Sequence, residues 1–275
     1  MIRPFSVAVY CSSSDRIARS YFDMARALGQ AMAERGWRLV FGAGTVGLMG
    51  EVARAVHDGG GRVFGVIPHA LHELEVTYEE CDELLFTENM RQRKAIMEEN
   101  ADAFIALPGG FGTLDEALEV LTLLQTGKRE MVPVVLLDEP GGSYWHDFHA
   151  YVAKHLLGGH MIAEHDFSLY KITDRVGTAL DEVLTFYRVY HSQRYVRKQL
   201  VFRLNQRLTD DQLATVNAEY ADVLADGAFT QREALKEEAD DAEAADLPRL
   251  VFHFNRRNYG RLRQLIDALN ALQAA

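Results

Sequence analysis

The chain has 275 residues, of which 48% are apolar and 25% charged, and its formal net charge is −11. That length holds one large α/β domain, or a domain of about 180 residues with a smaller appendage. An acidic balance argues against non-specific nucleic-acid binding, which needs a basic patch. It leaves a small anionic ligand open, because local donors decide that.

The two cysteines, Cys11 and Cys81, show neither CxxC nor metal-ligand spacing, and read as reduced thiols of a cytoplasmic protein. The apolar run Phe5 to Tyr10 is too short for a signal-peptide core. No segment approaches the roughly 18–20 apolar residues needed to span a bilayer. A soluble protein without a membrane partner is expected.

In chain order, FSVAVYC (5–11) reads as a strand, and the helical pattern of 17–36 repeats Tyr21, Ala25, Leu28 and Met32 before a stop at Gly36. Strand WRLVFG (37–42), helix 47–60 and strand RVFGVIP (62–68) follow. LLFT (84–87) precedes helix 89–101, AFIAL (103–107) precedes helix 113–127, and VPVVLLD (132–138) precedes helix 144–157. Strands apolar on both faces and separated by helices predict an α/β, Rossmann-like, doubly wound parallel sheet with helices on both faces.

Beyond about residue 190 the pattern changes. KQLVFRL (198–204) and RLVFHF (249–254) look like strands, each followed by a helical pattern. Residues 231–246 carry seven acidic and two basic side chains, which reads as a solvated loop, partly helical or disordered. The expected division is a nucleotide-binding catalytic domain over 1–188 and a small α+β appendage over 189–275. Arg256, Arg257, Arg261 and Arg263 read as a solvated helix face, with a contact surface as the alternative.

Two glycine loops follow strands. Gly42-Ala43-Gly44-Thr45-Val46-Gly47 matches the dinucleotide fingerprint, but the next strand ends Ile67-Pro68-His69, with no acid to hold a ribose. The loop can still border a ligand crevice. In the second, LPGGFGTLDEALE (107–119), Gly109, Gly110 and Gly112 let backbone N–H groups converge at a helix start, which suits a phosphate, and Thr113 adds a hydroxyl. No Gly-Lys-Ser/Thr follows, so a magnesium nucleoside triphosphate is not expected. Thr113 and Glu116 also have capping-box spacing, and Asp115 and Glu119 read as solvated acids of the first turn. The helix of Met90-Arg91-Gln92-Arg93-Lys94, taken alone, is a solvated face.

Together, MRQRK and PGGFGTLDE resemble the paired motifs M-x-x-R-K and P-G-G-x-G-T-x-x-E of the LOG (Lonely Guy) family. VYCSSS (9–14) and LVFGAGTVGLMG (39–50) are similar to the same family, with Ser12 and Ala43 departing from its usual pattern. The resemblance covers roughly residues 5–185. Its members are cytokinin riboside 5′-monophosphate phosphoribohydrolases and bacterial relatives that act on AMP. The resemblance implies catalytic roles for Arg93 and Glu116, and substrate binding by Met90, Lys94, Gly109, Gly110, Gly112, Thr113, Ser13 and Gly44. It further implies a homodimer with the MRQRK helix near the interface, and neither cofactor nor metal. A lysine-decarboxylase label sometimes given to relatives finds no support, since no lysine sits in a context for a pyridoxal Schiff base.

The implied chemistry is consistent with the residues. N-glycosidic cleavage builds positive charge on the sugar, which a carboxylate can stabilise while it orients or deprotonates water. Glu116, on the first helical turn, would be kept ionised by the dipole. Arg93 would clamp phosphate or ribose. A non-catalytic nucleotide or cofactor carrier on the same cradle is the alternative.

Overall fold

The computed structural model describes residues 4–72, 77–239, 241 and 244–272. The chain forms two compact units. The first comprises Met1–Leu121, Val132–Met161 and Tyr170–Glu182, and the second Thr122–Met131, Ile162–Leu169 and Val183–Ala275.

The first unit is built on β1 (Ser6–Tyr10), β2 (Arg38–Phe41), β3 (Val63–Pro68), β4 (Glu83–Thr87), β5 (Ala103–Ala106), β6 (Val134–Leu137) and β7 (Lys171–Thr173). The strand order is 4-3-2-1-5-6-7, and every pair is parallel. β1, β2, β3, β5 and β6 are buried along their whole length, because helices shield both faces of a parallel sheet. Those helices are α1 (Arg19–Glu34), α2 (Gly47–Asp58), the single turn α3 (His69–His72), α4 (Met90–Glu99), α5 (Phe111–Gln125), α6 (Tyr144–Tyr151) and α7 (Val176–Phe186), the last four residues of α5 and of α7 belonging to the second unit. α6 runs on into a π-helical stretch, Val152–Leu157. The expected doubly wound, Rossmann-like architecture is therefore present.

Close packing explains one glycine inside a helix. A Cβ on Gly29 of α1 would lie 2.6 Å from the Val52 carbonyl oxygen and 2.7 Å from the Ala55 Cβ of α2. Gly29 lets the two helices touch backbone to backbone, and the destabilisation that glycine brings to a helix, about 1 kcal/mol, is offset by that contact.

In the second unit β8 (Tyr190–Val196), β9 (Gln199–Leu204), β10 (Leu224–Arg232) and β11 (Arg249–Phe254) form an antiparallel sheet in the order 10-11-9-8, accompanied by α8 (Asp210–Glu219) and α9 (Tyr259–Ala271). Phe202 stands edge-on to Tyr190 and to Phe252, each at 5.1 Å between ring centroids. The buried face of α9 presents Leu262, Leu265, Ile266 and Leu269. Side chains alternate along a strand, so Val201 and Arg203 share one face of β9, as Val251 and Arg249 share one face of β11. On that face Val196, Val201 and Val251 pack with Leu235.

Two readings of this region change. The acidic segment is not simply solvated: Glu238 is buried and receives Arg203 Nε at 2.9 Å and Arg249 Nε at 3.0 Å. Its residues Asp240, Ala242 and Glu243 lie outside the described residues. Nor is the arginine set a uniformly solvated face. Arg263 is buried, with its guanidinium 4.8 Å from the Phe186 ring centre, and Arg261 bonds Asp222 at 3.0 Å.

Candidate active site

β1 sits between β2 and β5, so the chain winds one way from β1 to β4 and the other way from β5 to β7. The crevice outside the carboxyl ends of such a pair is where open α/β sheets bind ligands. Three loops meet here. The loop after β1 donates Ser12 N–H to the Pro108 carbonyl at 3.3 Å and accepts Leu48 N–H at 2.9 Å. Gly47 (φ +66°) fits because a Cβ there would be 2.5 Å from the Ser13 carbonyl carbon.

The loop after β5 becomes α5 earlier than expected. The helix starts at Phe111, two residues before Thr113, so Thr113 and Glu116 lie inside it and are not a capping box. Gly112 accordingly belongs to the first turn rather than to the loop. The Thr113 hydroxyl turns back over the glycines, and a Cβ on Gly109 would lie 2.1 Å from its Oγ1. Among the described residues, the amides of Gly109, Gly110, Phe111 and Gly112 donate to no acceptor. Four consecutive free donors at a helix N-terminus are suited to an anion.

Arg93, on α4, is buried rather than solvated. Its Nε donates to the Val66 carbonyl within β3 at 3.1 Å and its Nη2 to the Gly42 carbonyl just past β2 at 3.2 Å. Gly42 is required by this approach, since a Cβ there would lie 1.6 Å from Nη2. Its presence in the dinucleotide-like motif is thus explained by a protein side chain. With two nitrogens committed, Nη1 faces Glu116 Oε1 at 3.5 Å and Met90 Sδ at 3.9 Å.

Glu116 differs from the expectation in its charge state. It is six residues into α5, beyond the first turn, where the dipole has little hold. Burial dominates and pushes its carboxyl up to about 7, against the lowering influence of Arg93. Burial and the Glu116 charge together raise the Cys11 thiol, which stays protonated.

Lys94 does not point free into the crevice. Its Nζ bonds Asp115 and Glu119, both at 2.8 Å. The two acids read from sequence as solvated therefore tie α4 to α5, and hold the Arg93 and Glu116 helices at a fixed separation. Met90 is 42% exposed, and Ser13 is exposed at the β1 loop. Gly44 lies farther along the β2 loop, bridged to Thr77 and packed on Met49. Ala43, where the sequence departs from the family, takes φ +58° and is fully buried, a left-handed conformation that costs an alanine about 1 kcal/mol.

Sequence reasoning missed Tyr144. The first residue of α6, it donates its hydroxyl to the Gly109 carbonyl at 2.7 Å. Only its place just past β6, the neighbour of β5, could have signalled this.

Fold and site together define an α/β protein with four free backbone donors and a buried Arg–Glu pair at its switch point. A family model described as "Possible lysine decarboxylase" matches residues 49–183. The rice (Oryza sativa subsp. japonica) cytokinin riboside 5′-monophosphate phosphoribohydrolase LOG is 51% identical over 135 residues, 49% of this chain and 55% of the relative. The Arabidopsis thaliana enzyme of that activity named LOG3 is 45% identical over 148 residues, 54% of this chain and 67% of the relative. The chain belongs to the LOG family. It spans little more than half the length of the rice relative. A solved structure, the molybdenum cofactor binding protein from the phototrophic bacterium Rippkaea orientalis, shares the fold at a TM-score of 0.50 and 20% identity, covering 67% of this chain and 98% of its own.

Proposed function

We propose that the protein hydrolyses the N-glycosidic bond of a purine nucleoside 5′-monophosphate, of the adenine or N6-substituted adenine type, releasing free base and ribose 5-phosphate. The observation that carries this reading is the placing of Glu116 on the helix whose N-terminus, with the two residues before it, presents four free amides. The rise from Gly112 to Glu116 is about 6 Å, comparable to the reach from phosphorus to the anomeric carbon of the sugar. A 5′-phosphate held by Gly109, Gly110, Gly112 and Thr113 would thus bring C1′ to the carboxyl. The C1′–N bond breaks with its electron pair leaving on the base, and water adds to C1′. Ionised Glu116 stabilises the cationic sugar and accepts the water proton, which then passes to the departing base. Arg93, anchored on two backbone carbonyls, holds the carboxylate in place. Phosphate binding remote from the reacting carbon lowers the barrier by positioning.

The test is product formation from AMP and from N6-isopentenyladenosine monophosphate. Free base with ribose 5-phosphate is the expected outcome, and the preferred substrate defines the base pocket. Binding of both nucleotides without cleavage would replace the enzyme by a carrier.

A homodimer accompanies this reading. Phe111 is 92% exposed, Leu118 43% and Met90 42%, an apolar group on α4 and α5 of the kind that marks an interface. Phe111→Lys should shift sedimentation toward the monomer, and an unchanged dimer would remove this surface from the interface. No helix among the described residues is long and apolar enough to cross a membrane. Both cysteines are free thiols, in keeping with a cytoplasmic setting.

A further inference from the structure

Gly109 and Gly110 are adjacent glycines, and a peptide between two glycines reorients at little steric cost. An anion cradle made from such peptides works only if something outside it fixes their direction. The carbonyls show what does so. The Pro108 carbonyl accepts Ser12 N–H at 3.3 Å, and the Gly109 carbonyl accepts the Tyr144 hydroxyl at 2.7 Å. Across a planar trans peptide the C=O and the following N–H point in opposite directions, and no cis peptide occurs among the described residues. Pinning those two carbonyls therefore fixes the direction of the Gly109 and Gly110 N–H groups, away from Ser12 and from the Tyr144 hydroxyl respectively.

Tyr144 is itself held. Its ring stands edge-on to fully buried Trp145, 4.8 Å between centroids at 88°. The Trp145 backbone N–H donates to Asp138 Oδ2 at 3.2 Å, and Asp138 is buried just past the end of β6. Burial keeps the Tyr144 hydroxyl protonated, so it remains a donor throughout the neutral range. We infer that Tyr144 is a positioning residue, which sets the direction of the phosphate-binding amides through the Gly109 carbonyl. This rests on the cradle reading above, and concerns the phosphate of the ligand rather than its base or its reacting bond.

The experiment compares Tyr144→Phe with the wild type in calorimetric binding of AMP and of adenosine, together with KM and kcat for AMP. The variant loses one hydroxyl and keeps the ring packing. One hydrogen bond of this kind corresponds to a roughly three- to tenfold change. AMP affinity should fall by that factor and adenosine affinity should not, with KM rising in proportion and kcat within about twofold. An unchanged ratio of AMP to adenosine affinity overturns the inference, whether or not thermal stability drops, because a purely structural role moves both ligands together. If the wild type already binds adenosine as tightly as AMP, the cradle reading falls and this inference with it. If AMP binds through its phosphate but is never cleaved, the hydrolase reading alone fails and the Tyr144 comparison still stands.

Discussion

Glu116→Gln should abolish base release while leaving the fold intact, with turnover of AMP lowered by about 10²–10⁴, the range that loss of an acid–base group produces. The structure adds a second expectation that separates chemistry from damage. The Glu116 carboxyl titrates at about 7 in the folded chain, raised chiefly by burial, against an ordinary value of 4.5 in the unfolded one. A carboxyl raised in the folded state contributes stability that is complete below pH 4.5 and is lost as pH rises through 7, since ionisation then favours unfolding. Glutamine cannot ionise. The variant should therefore be more stable than the wild type at pH 8, by something on the order of 2 kcal/mol, and indistinguishable near pH 4. Denaturant unfolding at the two pH values measures this directly. Equal stability at both would mean that Glu116 is not held in the buried environment described. In the wild type, activity should rise through pH 7 as Glu116 ionises, and a flat profile from pH 5.5 to 8.5 would remove it as the titrating group.

The second large effect belongs to the C-terminal unit. Arg203 and Arg249 face each other directly across β9 and β11, and Glu238 lies between them. Two like charges opposed in a buried sheet are unfavourable, and they are offset here by Glu238, shared between both arginines, and by Asp241, 2.6 Å from Arg203 Nη1. Burial alone would raise the Glu238 carboxyl, but hydrogen bonds from Arg249, the Leu235 N–H and Arg203 outweigh it and leave it below the usual range. Its stabilisation is thus present at neutral pH and lost as pH falls below 4.5. Glu238→Ala leaves the fully buried Arg249 without a carboxylate, while Arg203 keeps Asp241 at 2.6 Å, and should destabilise this unit by about 3–5 kcal/mol. Unfolding of the variant followed through hydrogen exchange in β9 and β11 checks it, and a loss below about 1 kcal/mol would show that the triad is dispensable.

The legible parts of the sequence were those governed by short-range pattern. Six parallel strands announced themselves as apolar runs, five of them because both of their faces are covered, whereas the run of β4 is largely exposed. β7, three residues of an edge strand with an exposed first residue, carries no such run. β8 and β10 alternate with polar side chains and read as connection. The glycine loop after β5 was visible, while its tether Tyr144 was not, because the adjacency of β5 and β6 is a fact of topology. Arg93 and Glu238 illustrate the same limit. By local sequence each is a charged residue among charged residues, and only the fold supplies the backbone carbonyls or the opposed arginines that make burial of their charge tolerable.

Phe111 stands between Gly110 and Gly112, so its exposed ring and the anion-binding amides share the same few ångströms of chain. Whatever surface comes to cover that ring must also border the mouth of the crevice. If copies of the chain associate through this ring, as proposed, any effect of association on ligand affinity would be returned by the ligand on association, by the same factor.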